Sequence, residues 1–146
     1  MKQNGIKNDL HVVIVGCGRL GSGIANSLSN KNKNVTVIDN NKDSFRKLSP
    51  SFGGLTLEGD GMDIEVLKES GANSANVLIA STDNDNVNIL IAQIAKEIFH
   101  VKEVITRLYD PEKECVYKEY HIHSIFPALL SKHEVERILN IEGDVL

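Results

Sequence analysis

Three glycines, Gly16, Gly18 and Gly21, carry the sharpest chemical signal in this 146-residue chain. They stand in HVVIVGCGRLGSGIA, where a β-branched run enters the first glycine and a helical pattern leaves the last. Glycine at the first place permits a tight turn. At the second it lets backbone approach a phosphate with no Cβ between them, and at the third it lets the helix lie close on the strand. The helix N-terminus then offers N–H groups and the positive end of its dipole to an anion. The chemistry expected is recognition of a phosphate or diphosphate by backbone. Cys17, Arg19 and Leu20 fill the variable places and are taken with the glycines as site residues. Arg19 carries a long cation that can bend over a phosphate, reach across a subunit interface or join a surface ion pair.

Asp39 stands where this fingerprint expects an acid, 18 residues beyond Gly21 at the end of the second strand. A carboxylate there accepts hydrogen bonds from both ribose hydroxyls and repels a 2′-phosphate, so NADP is disfavoured. Asp39 can alternatively cap the helix that follows, a task open to Asn41 as well. Asn40 is taken with Asp39. A third cluster, Gly59-Asp60-Gly61-Met62-Asp63, follows the third strand; Asp60 can reach an adenine edge or orient its loop, and Asp63 suits a turn and helix cap. A fourth, Ser81-Thr82-Asp83-Asn84-Asp85, follows the fourth strand. In a sheet ordered 3-2-1-4-5-6 this loop faces the phosphates or a second nucleoside. Asp83 or Asp85 is expected to cap the long helix after it. Arg107 ends the fifth strand on the same edge, as a site residue or a member of a surface ion pair.

Six strands must hold these loops: His11–Val15, Asn34–Asp39, Leu55–Glu58, Val77–Ala80, Glu103–Arg107 and Ile122–Phe126. Continuous runs such as HVVIV, VTVI and VLIA read as strands buried on both faces, the mark of a parallel sheet. Only Ile122, Ser124 and Phe126 alternate with polar neighbours, as on an edge strand. Between the strands, Leu20, Ile24, Ala25 and Leu28 recur at helical spacing, and Asp63 opens a short helix closed by Gly71. Val87, Leu90, Ile91, Ile94, Ala95 and Ile98 form the strongest helical stripe. Asp110-Pro111 reads as a helix start. A last helix, about residues 128–141, carries Val135, Ile138 and Leu139 on one stripe. The expectation is an α/β, Rossmann-like, doubly wound parallel sheet of six strands in three α/β/α layers. One domain spans 10–142, behind a loose polar tail at 1–9 and ahead of a frayed end.

Composition narrows the class. Hydrophobic residues make 41% and charged residues 25%, ordinary for a globular domain. The net charge of −4 gives no electrostatic footprint for nucleic acid or an anionic lipid surface. No apolar run exceeds five residues, far short of the ~20 that span a bilayer, and the N-terminus lacks a signal-peptide stretch. A cytoplasmic chain is expected, with Cys17 and Cys115 as reduced packing thiols.

The stretches VIVGCGRLGSGIA, VTVIDNN, LEGDGMD, LIASTDNDNVNILIAQIAK and VITRLYDPE, in this order and spacing, resemble the N-terminal nucleotide-binding domain of the RCK (KTN) family. That family comprises regulators of potassium channels and of Trk/Ktr-type potassium uptake systems; the tail HIHSIFPALLSKHEVERIL is similar to its sixth strand and following helix. The resemblance implies the strand order 3-2-1-4-5-6 and binding of NAD(H), ATP, ADP or AMP. It further implies pairing into dimers or rings, a membrane potassium transporter or channel as partner, and a peripheral place at the inner face of the membrane. On that model Gly16, Gly18, Arg19 and Gly21 hold phosphate, Asp39 the ribose and Asp60 the adenine side. Thr82 and its neighbours lie near the phosphates, and Arg107 matches the family's arginine after strand five. Two departures stand out. Many members continue into a C-terminal sensing domain, which is not expected in a chain ending at Leu146, and alanine often replaces Gly61.

Three other functions compete. Tyr109-x-x-x-Lys113 superficially matches the pair of a small NAD-dependent oxidoreductase, but Asp110-Pro111 starts the helix after Tyr109, so the two share no face. His121-x-His123 could share a metal ion, without evident further ligands. A DNA-binding repressor would need a basic helix-turn-helix, and none is visible. The expectation is a binding module with no catalytic residues and no metal.

Overall fold

In the computed structural model of the chain, residues 10–116, 121–141 and 143 are described. The expected loose tail and most of the frayed end lie outside them, as does the Cys115 side chain. The aliphatic runs form the middle of the sheet because nothing in them resists burial on both faces. β1 (His11–Val15), β2 (Asn34–Asp39) and β4 (Val77–Ala80) are buried along nearly their whole length. β3 (Leu55–Glu58) is an edge, with Leu55 70% exposed. β5 (Glu103–Arg107) and the short β6 (His123–Ile125) complete the other side. All pairings are parallel, in the order β3-β2-β1-β4-β5-β6.

Period-two alternation sorts the strand side chains between two cores. Val12, Ile14, Val35, Val37 and Ile79 face one side, covered by α1 (Arg19–Asn30) through Ala25, Ile24 and Leu28. Val13, Val15, Ile38, Leu78 and Val104 face the other, covered by α2 (Ile64–Glu69) and α3 (Asp85–Glu97) through Leu67, Ile91, Ala92 and Ala95. The result is the three-layer α/β/α sandwich expected. Asp63 caps α2 by accepting from the Glu65 amide, and Gly71, at φ +87°, ends that segment. Asn41, rather than Asp39, caps the 3-10 turn Lys42–Lys47.

Two local expectations need correction. Asn84, not Asp83 or Asp85, caps α3, accepting from the Val87 amide. Asp110-Pro111 opens a 3-10 helix, Pro111–Val116, instead of an α-helix, with the Asp110 carboxylate on the Glu112 amide. The final helix, α4 (Pro127–Leu139), has no buried residue: Leu130, Val135, Ile138 and Leu139 are all more than half exposed. Among the described residues no helix is long and apolar enough to cross a membrane.

Candidate functional site

The carboxyl ends of β1, β2, β3, β4 and β5 lie along one edge of the parallel sheet, and every loop singled out above leaves from it. β1 is followed by Gly16, whose φ of +102° suits glycine alone. A Cβ there would lie 2.7 Å from the Ser81 carbonyl oxygen and 2.8 Å from the Thr82 nitrogen. The turn is fixed from both sides. The Gly16 amide donates to the Ile38 carbonyl (2.8 Å), and the Ser81 hydroxyl donates to the Gly16 carbonyl (3.1 Å). Gly18 is the N-cap of α1, and no side chain caps that end. A Cβ on Gly18 would meet no protein atom within 4 Å, so packing does not demand glycine there. Gly21 is different: a Cβ on it would overlap the Gly16 carbonyl oxygen.

Asp39 uses both carboxylate oxygens locally. Oδ2 accepts from the Cys17 amide and Oδ1 from the Asn41 amide, each at 2.8 Å. This pins the acid beside the glycine turn, and each oxygen keeps a lone pair for a further donor. The buried Cys17 thiol is pushed above its ordinary pKa, by burial first and by the Asp39 charge second, against a smaller opposing pull from Lys47. It stays a protonated packing thiol, as expected of it, and not a nucleophile.

The third loop closes on the second, with the Gly59 amide donating to the Asp39 carbonyl at 3.0 Å. Asp60 accepts from the Met62 amide (2.9 Å), so its carboxylate orders the turn. A Cβ on Gly61 would overlap Val15 Cγ1, so the packing of Val15 accounts for glycine at this place. On the far side, Thr82 and Arg107 are joined directly, Arg107 Nη2 donating to the Thr82 carbonyl at 2.6 Å. The Arg107 guanidinium also lies 5.1 Å from the centre of the Tyr109 ring.

These loops enclose a cavity of about 650 Å³, enough for a nucleotide or dinucleotide. Gly16, Cys17 and Gly18 form its floor, with Asp39 and Asn40 on the β2 side. Gly59, Asp60 and Gly61 close the end, and Ser81, Thr82 and Arg107 line the β4–β5 side. Arg19 and Leu20 instead line a shallow groove along α1, and Gly21 sits beneath the turn. Ser44 and Lys47, on the 3-10 turn after β2, also line the cavity. No pattern in the chain marks them, since that turn has no periodic stripe. The Tyr109 ring packs with Arg107, and the Lys113 ammonium meets Asn86 at 3.2 Å. His123 hydrogen-bonds Glu103 at 3.1 Å, and among the described residues no three His, Cys, Asp or Glu side chains gather as metal ligands.

The family model described as the TrkA-N domain matches residues 12–127. The Trk system potassium uptake protein TrkA of Streptomyces coelicolor is 41% identical over 116 residues, covering 80% of this chain and 52% of that protein. The chain thus spans about half the length of that relative. Among solved structures, a Shewanella denitrificans Kef C-terminal domain in AMP-bound form superposes with a TM-score of 0.76 at 18% identity, over 92% of this chain and 83% of that one. A GsuK channel bound to NAD superposes at 0.68 and 18% identity, over 82% of this chain and 21% of that one. At these identities the two structures establish the shared fold.

Proposed function

The chain belongs to the TrkA-N domain family, and from that premise we propose that it is a regulatory nucleotide-binding module of a potassium transport system. Its ligand is NAD(H) or an adenine nucleotide, ATP, ADP or AMP. Its output is the geometry of a dimer or ring that a membrane transporter or channel reads at the cytoplasmic face. The observation that carries the reading is the pairing of an uncapped helix N-terminus at Gly18 with the Asp39 carboxylate in one cavity. Diphosphate oxygens suit the first and ribose hydroxyls the second. The open space at Gly18 is where the phosphate comes closest to the backbone. Asp39 also disfavours a 2′-phosphate. The names of the relative and of the two structures support the same ligands and the same transport context.

Calorimetry on the full chain tests this. NAD or an adenine nucleotide is expected to bind, with NADP at least tenfold weaker. No heat from any of them at millimolar concentration would overturn the reading. Arg19, at the start of α1, is proposed to be recruited only by a longer phosphate chain. Arg19→Ala is therefore expected to blunt discrimination between ATP and ADP while leaving adenosine recognition in place; an unchanged affinity ratio removes Arg19 from the mechanism.

The exposed stripe Val135, Ile138 and Leu139 on α4 is proposed as a contact with a second copy, since α4 buries none of its residues in its own domain. Light scattering is expected to find a dimer or larger assembly, and a monomer at high concentration would count against it. A ligand can shift that assembly only by binding its two geometries unequally.

A further inference from the structure

We propose that Asn88 is a positioning residue of this site: it locks Thr82 and Arg107 into one unit and thereby sets how much better NAD binds than AMP. The inference rests on the nucleotide-binding reading above. Asn88 lies one turn into α3, is fully buried, and does not itself line the cavity, whereas Thr82 and Arg107 do. Its amide is saturated. Oδ1 accepts from the Thr82 amide (2.9 Å) and the Thr82 hydroxyl (2.6 Å); Nδ2 donates to the Thr82 carbonyl (3.1 Å) and the Arg107 carbonyl (2.9 Å). Two acceptor sites and two donors are the whole capacity of an asparagine side chain. Aspartate, of the same size, would set an oxygen against two carbonyls, and leucine would take away the partner that Asn88 gives the Thr82 amide and the Arg107 carbonyl.

One turn earlier on α3, Asp85 extends the clamp. Its carboxylate accepts from the Tyr109 amide (2.9 Å) and the Asp110 amide (3.0 Å), the residues just beyond β5. The start of α3 therefore ties the ends of β4 and β5 together. This half of the cavity lies across β1 from Asp39. An adenosine monophosphate is held by the Asp39 side and the glycine turn, so it reaches little of the clamp. A second phosphate and a second nucleoside extend over the β4 and β5 ends, where Thr82 and Arg107 stand. Loss of Asn88 is then felt by the extension and not by the adenosine. A merely structural Asn88 would instead weaken every ligand alike.

The test compares NAD and AMP by calorimetry on the full chain, for the wild type, Asn88→Asp and Asn88→Leu. We expect NAD to weaken about tenfold in both variants while AMP stays within about twofold. Equal losses for the two ligands, or an unchanged NAD affinity, overturn the proposal and leave the site reading standing. A wild-type chain that binds neither ligand overturns both. Should the variants not fold, nuclear magnetic resonance of the wild type decides. The Asn88 side-chain amide signals are expected to move with NAD and hold still with AMP. An equal response to both ligands, or none to either, overturns the proposal.

Discussion

Alanine at Gly21 is expected to cost about 3 kcal/mol of stability, the upper end of what overpacking an interior brings, and with it the nucleotide site. In an exposed helix the same exchange gains up to ~1 kcal/mol, because glycine is a poor helix former. The sign reverses here because the added Cβ overlaps the Gly16 carbonyl oxygen and comes to 3.0 Å from the Ser81 hydroxyl. The first of these is backbone and cannot swing aside. The Ser81 hydroxyl holds that carbonyl, and the Gly16 amide is tied separately to the Ile38 carbonyl, so α1 must lift from β1 and open the core around Ile14, Cys17 and Ala25. For a domain of this size the loss lowers the melting temperature by roughly 10 °C. Gly23, two residues on in the same helix, is the internal control. A Cβ there meets nothing within 4 Å, so Gly23→Ala is expected to match or exceed the wild type. Equal melting of the two variants would mean that the turn and helix are not in the contact described.

The contrast between these glycines explains what the sequence made legible. Two of the fingerprint glycines, Gly16 and Gly21, are required by the loop after the adjacent strand or by a neighbour within a few residues, so spacing alone exposes them. The six strands were legible for a similar reason, since burial on both faces leaves only aliphatic side chains. The stripe of α3 is legible as a helix, but its two flanking residues stand outside the buried line. Leu90 and Ile98 are 43% and 48% exposed, while Asn88 is wholly buried. The buried line runs Asp85, Asn88, Ile91, Ala92 and Ala95. Small residues let α3 lie close to the sheet, and polar ones are tolerated there because distant backbone satisfies them. The cap was misassigned on the same grounds. Asp85 looked like a cap, but its carboxylate is taken by amides 24 and 25 residues away, and Asn84 was left to do the work. Hydrophobic periodicity cannot see a partner beyond β5. Nor could it see Lys47, which enters the cavity from a 3-10 turn with no repeating pattern.

Removing the Asp39 carboxylate is expected to weaken NAD and AMP by about 1.5–3 kcal/mol, the scale of hydrogen bonds to a charged group, or roughly 10- to 150-fold. Two effects act together. The ribose loses its acceptor, and the amides of Cys17 and Asn41 lose theirs, so the glycine turn and the loop after β2 are both loosened. Asp39→Ala alone does not separate these. NADP does, because the carboxylate that holds a free 2′-hydroxyl repels a 2′-phosphate. If Asp39 faces the ribose, Asp39→Ala weakens NAD strongly while NADP weakens less or gains, and the preference between them narrows by about tenfold or more. If Asp39 only braces the turn, both cofactors fall together and the preference stays as it was. An unaffected NAD titration would put the ribose elsewhere in the cavity. Lys47 lines the same cavity, and with the opposing carboxylate gone its cation is the charge left to meet a 2′-phosphate. Reversal of the preference in Asp39→Ala, and its loss again in Asp39→Ala with Lys47→Ala, would fix the ribose between these two side chains.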